Sequence, residues 1–477
     1  MNTKSSPSSV CVIGGGLSGL AAATALCSRG FRVELFEARR QLGGRAGSFY
    51  EENSDQLVDH CQHVGMGCCT NLADFCRRTG IDQHLRRDRV IRFIARDGRR
   101  CDLRGTRWLP APLHLLPALW GLKYLRWKDR LHVATTLLRL AREPAADAST
   151  DAKNEVSIGD WLNQQGVSAE SVDRFWSVVL VSALGETVER ASLSAARKVF
   201  VDGFMSANDS YEVLVPSVPL GQLYGNQLIR WLVERGVTVH QNTAVRQLVG
   251  SHAGIDAVTF SNGRSLAFDD YILAVPWRKA VPLLAPQVAE TLQLDSGIER
   301  IQSSPITAIH LWLDRPIMDA PHAVLIDCLA QWVFSRPSNL RQDGEAAAGH
   351  YYQVVISASR QLAGRPRDEV LREIMEDLSA VWPTAAAAEI VDWRMVTQRD
   401  ALFSAAPGLD RWRPEQQTDI PNLMLAGDWT RTGWPATMEG AVRSGYLAAE
   451  AVLRRCGRSD SALVDDLPRG WLTRLLW

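Results

Sequence analysis

An α/β fold, in which a dinucleotide-binding unit is interrupted by a long insertion and completed near the C-terminus, is predicted by three stretches of the sequence. Residues 10–37 run strand, glycine turn, helix, strand and acid. Residues 104–224 leave that alternation for helical spacing, crowded at first with Trp, Arg and Lys. Residues 421–455 return to strand, turn and helix.

The opening stretch reads V-C-V-I-G-G-G-L-S-G, then an Ala/Leu-rich helix stopped by Gly30, then a strand that ends on Glu37. Gly14, Gly16 and Gly19 stand in the G-x-G-x-x-G spacing. The first allows the tight turn, the second lets backbone approach a pyrophosphate, and the third lets helix and strand pack closely. The helix N-terminus offers free amides and a positive dipole to phosphate. Glu37 falls roughly 20 residues past the glycines, where a carboxylate takes both ribose hydroxyls of an adenosine. Residues 42–49, L-G-G-R-A-G-S-F, follow at once. Gly44 and its neighbour let backbone lie against a flat or charged ligand, and Arg45 supplies a planar fork for phosphate or a polar ring edge.

Composition narrows the function classes. The chain holds 53 basic and 53 acidic residues for a formal charge of zero, which argues against nucleic acid as a partner. Its 477 residues suffice for more than one domain. No run of about 18 uninterrupted apolar residues occurs, so no spanning helix is expected. Residues 1–9 are polar and lead straight into the glycine turn, so no signal peptide is expected. The 9 cysteines are scattered, with Cys68 and Cys69 adjacent and no C-x-x-C pair; reduced thiols in a cytoplasmic chain are the simplest reading. Cys61 with His60 and His63 lacks a second cluster at ligand spacing, so no metal is expected.

The remaining elements follow in order. A helix resumes at Asn71 and stops at Gly80. Residues 91–103 alternate about Asp97-Gly98 and predict a hairpin. From 104 to 142, Pro110, Pro112 and Pro117 break the start; then Leu113, Leu116 and Trp120, and later Leu131, Ala134, Leu138 and Ala141, recur at helical spacing. Arg104, Arg107, Lys123, Arg126, Lys128 and Arg130 sit among Trp108, Trp120, Tyr124 and Trp127. Two readings stand: a helix lying on an anionic membrane surface, or an amphipathic helix packed on the protein's own core. Residues 143–155 read as a polar loop, 156–203 as mostly helical and 216–223 as an extended, proline-punctuated connection. A helix at 225–236, a strand pair at 237–248 and a buried strand at 268–276 come next. Residues 281–419 alternate strands (306–313, 351–357) with a helix (369–381). Residues 421–455 give a strand ending at Gly427, then Asp428, a polar turn, and a helix from about Thr437. The chain closes on G-W-L-T-R-L-L-W, a short amphipathic tail. The expected division is a cofactor domain in three parts, 1–103, 225–285 and 420–477 with the tail, plus a helical substrate or membrane-facing region at 104–224 and a substrate domain at 286–419.

The opening fingerprint, G-G-R-A-G-S, F-D-D-Y-I-L-A-V-P and the late A-G-D-W-T and T-M-E-G-A-V-R-S-G together resemble the flavin-containing amine oxidase and phytoene desaturase superfamily. The resemblance implies a Rossmann-type FAD-binding domain with an inserted mixed α+β substrate domain. It puts Gly14, Gly16, Gly19, Glu37, Gly44 and Arg45 on the cofactor, Val245 of A-V-R-Q-L against adenine, and His63 at the flavin. It brings Gly427 and Asp428 toward the ribityl hydroxyls. Met438 and Glu439, at a helix N-terminus, face the flavin pyrimidine edge, where the dipole stabilises negative charge on the reduced ring.

Similarity over almost the whole chain is closer still. H-V-G-M-G-C-C-T-N-L-A-D-F-C-R-R-T-G, A-S-L-S-A-A-R-K-V-F-V-D-G-F and V-P-S-V-P-L-G-Q-L-Y resemble the squalene-associated, FAD-dependent hydroxysqualene dehydroxylases of bacterial hopanoid pathways. That resemblance implies reduction of hydroxysqualene, a lipophilic isoprenoid, to squalene. It also implies an electron donor that the sequence does not name, upstream pathway synthases as partners, and a peripheral place on the cytoplasmic face of the membrane. Two stretches depart from the pattern: D-H-C-Q-H stands at 59–63 where D-N-G-Q-H is expected, and Gly185 stands where an Asn is expected.

Reductive dehydroxylation needs a hydride, an alcohol carbon held beside it, and an acid that lets the hydroxyl leave as water. Glu186 and Asp202, in the helical region, are the expected acids. Two competing readings are a carotene-desaturase-like enzyme running the hydride toward the flavin, and a non-enzymatic prenyl-lipid-binding protein of the same fold.

Overall fold

The computed structural model describes residues 7–51, 56–144, 156–336 and 349–476. Most of the loop expected at 143–155, the first residues of the chain and Trp477 lie outside the described residues.

The opening unit forms as its spacing dictates. Strand Ser9–Ile13, helix Leu17–Cys27 and strand Arg32–Phe36 enter a five-stranded parallel sheet. Its order is Thr238–His240, Arg32–Phe36, Ser9–Ile13, Asp270–Leu273, Leu423–Leu425. A parallel sheet is covered on both faces, so its central strands read as unbroken apolar runs such as V-C-V-I and Y-I-L-A. The first helix packs against the late helix Met438–Arg455 through small residues. A side chain at Gly445 would come within 2.2 Å of the Ser18 carbonyl oxygen.

A second, seven-stranded sheet runs Ile390–Phe403, Ser303–Leu313, His350–Ser357, Trp332–Ser335, His322–Ile326, Ile91–Ala95, Arg100–Leu103. Its neighbours are antiparallel except His322–Ile326 with Ile91–Ala95. The Asp97-Gly98 hairpin forms, with Gly98 at φ +82°. It corrects the boundary at 103: the hairpin belongs to the second sheet, because Ile91, Phe93 and Ala95 share one apolar cluster with Val324 and Ile326. The first cofactor-binding part therefore ends before Ile91. Helix Arg367–Val381 covers one face of this sheet, with Val370, Ile374 and Leu378 against Ile309, Leu311 and Val354.

A helical region follows, with Leu116–Trp120, Trp127–Arg142 and shorter helices up to Met205. Strand Val213–Pro216 pairs with Leu85–Asp88 and Gly65–Met66. The connection expected to stay extended through 223 turns helical earlier, in the wide turn Gly221–Gln227. The tail helix Trp471–Leu476 packs on this helical region rather than on the cofactor domain: Gly470 N donates to Ser206 O at 2.8 Å and the Thr473 hydroxyl to Ala111 O at 3.1 Å. No helix among the described residues is long and apolar enough to cross a membrane.

Candidate functional site

The glycine turn sits at the C-terminal edge of the parallel sheet, where such sheets bind ligands. Each glycine has a distinct spatial reason. Gly14 takes φ +110° and a Cβ there would lie 2.4 Å from Ala274 O. A Cβ on Gly19 would lie 2.0 Å from Gly14 O, so helix and turn touch backbone to backbone. Gly16 alone faces open space. Helix Leu17–Cys27 starts at Gly16 without a side-chain cap, leaving its first-turn amides directed at whatever fills that space.

Glu37 ends the second strand beside this turn. Its Oε2 accepts Gly15 N at 2.7 Å and its Oε1 accepts Arg39 N at 2.9 Å. Two backbone amides thus fix the carboxylate, and each oxygen keeps a lone pair. Residues 240–243 bond back to 37–39, with Glu37 N on His240 O at 2.9 Å and Thr243 N on Glu37 O at 2.9 Å. That brings half-buried Val245 alongside the Phe36 and Phe260 cluster, at the same end.

The loop after Glu37 folds over the glycines: Gly43 N donates to Gly15 O at 2.8 Å, with Gly43 and Gly44 both at positive φ. Arg45 reaches Asp428 Oδ1 at 2.5 Å and Ala401 O at 3.0 Å. Gly427 N is held by Ser444 Oγ at 2.9 Å. Arg413, almost wholly buried, donates to the carbonyl oxygens of Asp428, Thr430 and Trp434 and so shapes the 428–434 turn. Nothing in the local sequence marks Arg413, because its partners are backbone. Thr437 caps helix Met438–Arg455 by accepting from Gly440 N at 3.0 Å. Met438 opens that helix and its sulfur receives the Tyr224 hydroxyl at 3.7 Å.

Glu439 is the first correction among the expected ligand contacts. Its buried carboxylate accepts Leu72 N at 2.7 Å and Asn71 Nδ2 at 3.0 Å, at the start of helix Thr70–Thr79. Burial raises its pKa and those hydrogen bonds oppose the rise. The side chain therefore joins two helices, and only its main-chain amide stays in the first turn of Met438–Arg455.

A third group centres on Asp59, at the end of strand Gln56–Asp59. Fully buried Asp59 accepts the Ser48 hydroxyl at 2.6 Å, Leu220 N at 2.7 Å and Arg336 Nη2 at 2.5 Å. Arg336 comes from the far sheet and also holds Gln62 Oε1 at 2.7 Å. The D-H-C-Q-H segment is thereby pinned from both sides. His63 Nδ1 sits 2.9 Å from Cys61 O, and burial lowers its pKa, so its ring is neutral at pH 7. Burial pushes the Cys61 thiol up to about 12. Cys61 and Val64 pack with Ile306, Ala308, Trp332, Phe334 and Val355 in one apolar cluster.

The two expected acids do not stand alike. Glu186 is fully buried and bidentate on Arg360 at 2.6 and 2.8 Å, with Ser404 Oγ at 2.5 Å and Thr187 N at 3.0 Å. Burial acts to raise its pKa, but the Arg360, Ser404 and Thr187 hydrogen bonds outweigh it and the net shift is downward. An ionised, four-way-bonded carboxylate has no proton to give, so the expectation for Glu186 as an acid is corrected. Asp202 pairs with Lys198 Nζ at 2.9 Å. That Nζ also lies 4.6 Å from the centre of the Trp434 ring, in the turn shaped by Arg413.

Comparison with known proteins agrees with this geometry. Residues 17–453 match the family model described as flavin containing amine oxidoreductase. A hydroxysqualene dehydroxylase from Sinorhizobium fredii is 28% identical over 459 residues, covering 94% of this chain and 99% of that protein. A zeta-carotene desaturase from Synechocystis sp. is 24% identical over 493 residues, covering 95% and 99%. The fold is also that of an oxidoreductase from Methanosarcina mazei, with a TM-score of 0.69 at 16% identity over 94% of this chain and 100% of that one.

Proposed function

The chain belongs to the flavin containing amine oxidoreductase family, and on that premise we propose that it is an FAD-dependent enzyme that reduces hydroxysqualene to squalene. FAD follows from the family together with an N-terminal unit built for an adenosine dinucleotide. The residues fit it: Gly16 leaves space where a Cβ would intrude, and the uncapped helix after it supplies amides for a pyrophosphate. Glu37 would take the ribose, Val245 would flank the adenine, Arg45 and Asp428 would hold the ribityl chain, and the amide of Met438 would meet the flavin ring edge.

Reduced FAD, when bound, supplies a hydride. The chain supplies the rest. Ile306, Ala308, Trp332, Phe334 and Val355, packed with Cys61 and Val64, make this region apolar and suited to lie beside a hydrocarbon. Arg336 and Asp59 fix the Cys61–His63 backbone next to that cluster. Hydride and one proton are added, the carbon–oxygen bond breaks, and water leaves. The Lys198 ammonium, held by Asp202 and Asp466 beside Trp434, provides that proton.

The observation that carries the choice of reaction is the end-to-end match at 28% to two hydroxysqualene dehydroxylases. A desaturase reading has its own support in the 24% match to zeta-carotene desaturase over 95% of the chain. Incubating the chemically reduced holoenzyme with hydroxysqualene without oxygen, and reading the product by mass spectrometry, tests the proposal. Squalene supports it; unchanged hydroxysqualene, with full flavin occupancy, overturns it.

A further inference from the structure

Eight of the thirteen large hydrophobic side chains that stand exposed among the described residues fall in two stretches, 108–131 and 471–475. Although 340 positions separate those stretches, the fold joins them. The Thr473 hydroxyl donates to Ala111 O at 3.1 Å, and a Cβ on Gly470 would lie 3.5 Å from that of Ala111. Leu113, Leu116 and Trp120 follow helical spacing on the outer side of Leu116–Trp120, whose Ala118 and Leu119 are buried. Trp127 and Leu131, four apart, stand outward from the next helix, and Val133 points in. Trp471 and Leu475, again four apart, are 70% and 76% exposed on the tail helix. The core-packing reading therefore holds for one side of these helices. These helices pack on the core by one side and hold a second apolar side out to solvent.

The charge of this face is equally one-sided. Residues 104–131 carry six basic residues and one acidic one, in a chain whose formal charge is zero. The acidic one, Asp129, is paired with Arg126. Exposed Arg107, Lys123, Lys128 and, in the tail, Arg474 form no ion pair among the described residues. Protein–protein interfaces are depleted in lysine and in unpaired charge at their centre. A second copy of this face would also repel this one. Tryptophans among free cations match the headgroup layer of a bilayer, where the ring is half wetted and phosphates meet the ammonium and guanidinium groups.

We propose that this face docks the protein on an anionic lipid bilayer, with Trp108, Trp127 and Trp471 entering the headgroup layer. A cavity of about 280 Å³ lies beside it, lined in part by Asp173, Val178, Ser182 and Asp327. Arg174 ties Asp327 to the Tyr124 carbonyl, just ahead of the Trp127 helix. On the inner side, the Trp332 indole N–H donates to Ser182 at 2.8 Å while its ring packs with Cys61 and Val64 in one apolar cluster. The docking does not rest on the isoprenoid reading above.

Flotation of the holoenzyme with vesicles of phosphatidylcholine, alone or mixed with phosphatidylglycerol, tests it without any turnover. The protein floats with the mixed vesicles, and added salt releases part of it. Lys128→Glu or Arg107→Glu weakens partition at least about five-fold each, and the double variant Trp108→Ser/Trp471→Ser weakens it on both vesicle types. Flavin absorbance of each variant reports that it is folded. Failure of the wild type to float on anionic vesicles overturns the proposal. So does equal partition of folded variants, or a wild-type dimer that the tryptophan variants turn into monomer while vesicle binding stays absent. Flotation without conversion of hydroxysqualene keeps the docking and removes the reaction.

Discussion

Arg45 and Asp428 are 383 positions apart in the chain and meet at 2.5 Å. The contact ties the glycine loop of the first unit to the last strand of the same sheet. Asp428 is almost fully buried, and Arg45 also holds Ala401 O. Arg45→Ala should cost about 1.5–3 kcal/mol in chemical denaturation of the apoprotein, the range for a charged hydrogen bond, and should weaken FAD binding as well. Arg45→Lys should rescue little, since a single ammonium cannot reproduce a planar fork on two acceptors. Wild-type stability and FAD affinity in both variants would show that the pair does nothing for either.

Glu37 should matter to the cofactor more than to the fold. Glu37→Gln should weaken FAD binding by about 1.5–3 kcal/mol, the worth of charged hydrogen bonds, measured by fluorescence on reconstitution. The same preparation tests the mode of attachment. Burial keeps the Cys61 thiol protonated at neutral pH, and denaturation should release all FAD into the supernatant. Flavin that stays with the precipitate would contradict a non-covalent site.

The Glu186–Arg360 pair should show itself in acid stability. The folded carboxyl titrates below its ordinary 4.5, so the unfolded chain holds more protons in the interval between the two values. The stability it contributes is complete above about pH 4.5 and is lost as pH falls through the folded value. Denaturation midpoints followed downward from pH 6 should drop more steeply for wild type than for Glu186→Gln. Identical slopes would mean that the pair is not formed in solution.

Short-range spacing made the two cofactor ends legible. Gly14, Gly16, Gly19 and Glu37 declare a strand, turn, helix and acid within thirty residues, and Gly427, Asp428 and Met438 repeat that local grammar. What the sequence hides is pairing at a distance. Glu186 looks like a spare acid until Arg360, 174 positions on, is seen to neutralise it. The hairpin at 91–103 was readable as a hairpin, but its partner strand His322–Ile326 was not, so the domain boundary fell on its wrong side. The tryptophan-rich stretch left two readings because periodicity reports that a helix has an apolar side, not how many, and here two sides are apolar.

Arg336 and Asp59 tie the seven-stranded sheet to the D-H-C-Q-H segment, and neither the sequence near Arg336 nor its spacing marks it. Asp59 is fully buried and the Arg336 side chain nearly so. Arg336→Ala should destabilise by about 3–5 kcal/mol, because it strands a buried charge. Adding Asp59→Asn should recover part of that loss, read as a coupling energy in a double-variant cycle. Additive losses in the double variant would mean that the two residues act independently.

The direction of electron flow is the most direct test of the whole account. The holoenzyme is reduced chemically without oxygen and mixed with one equivalent of hydroxysqualene, while the oxidised holoenzyme is mixed separately with phytoene, and the visible absorbance of oxidised flavin is followed in both. Absorbance should return in the first mixture as squalene forms, Asp202→Asn and Lys198→Met should slow this return with an unchanged resting spectrum, and the second mixture should stay unchanged. Bleaching by phytoene, with no response to hydroxysqualene, would contradict it and make the protein a desaturase.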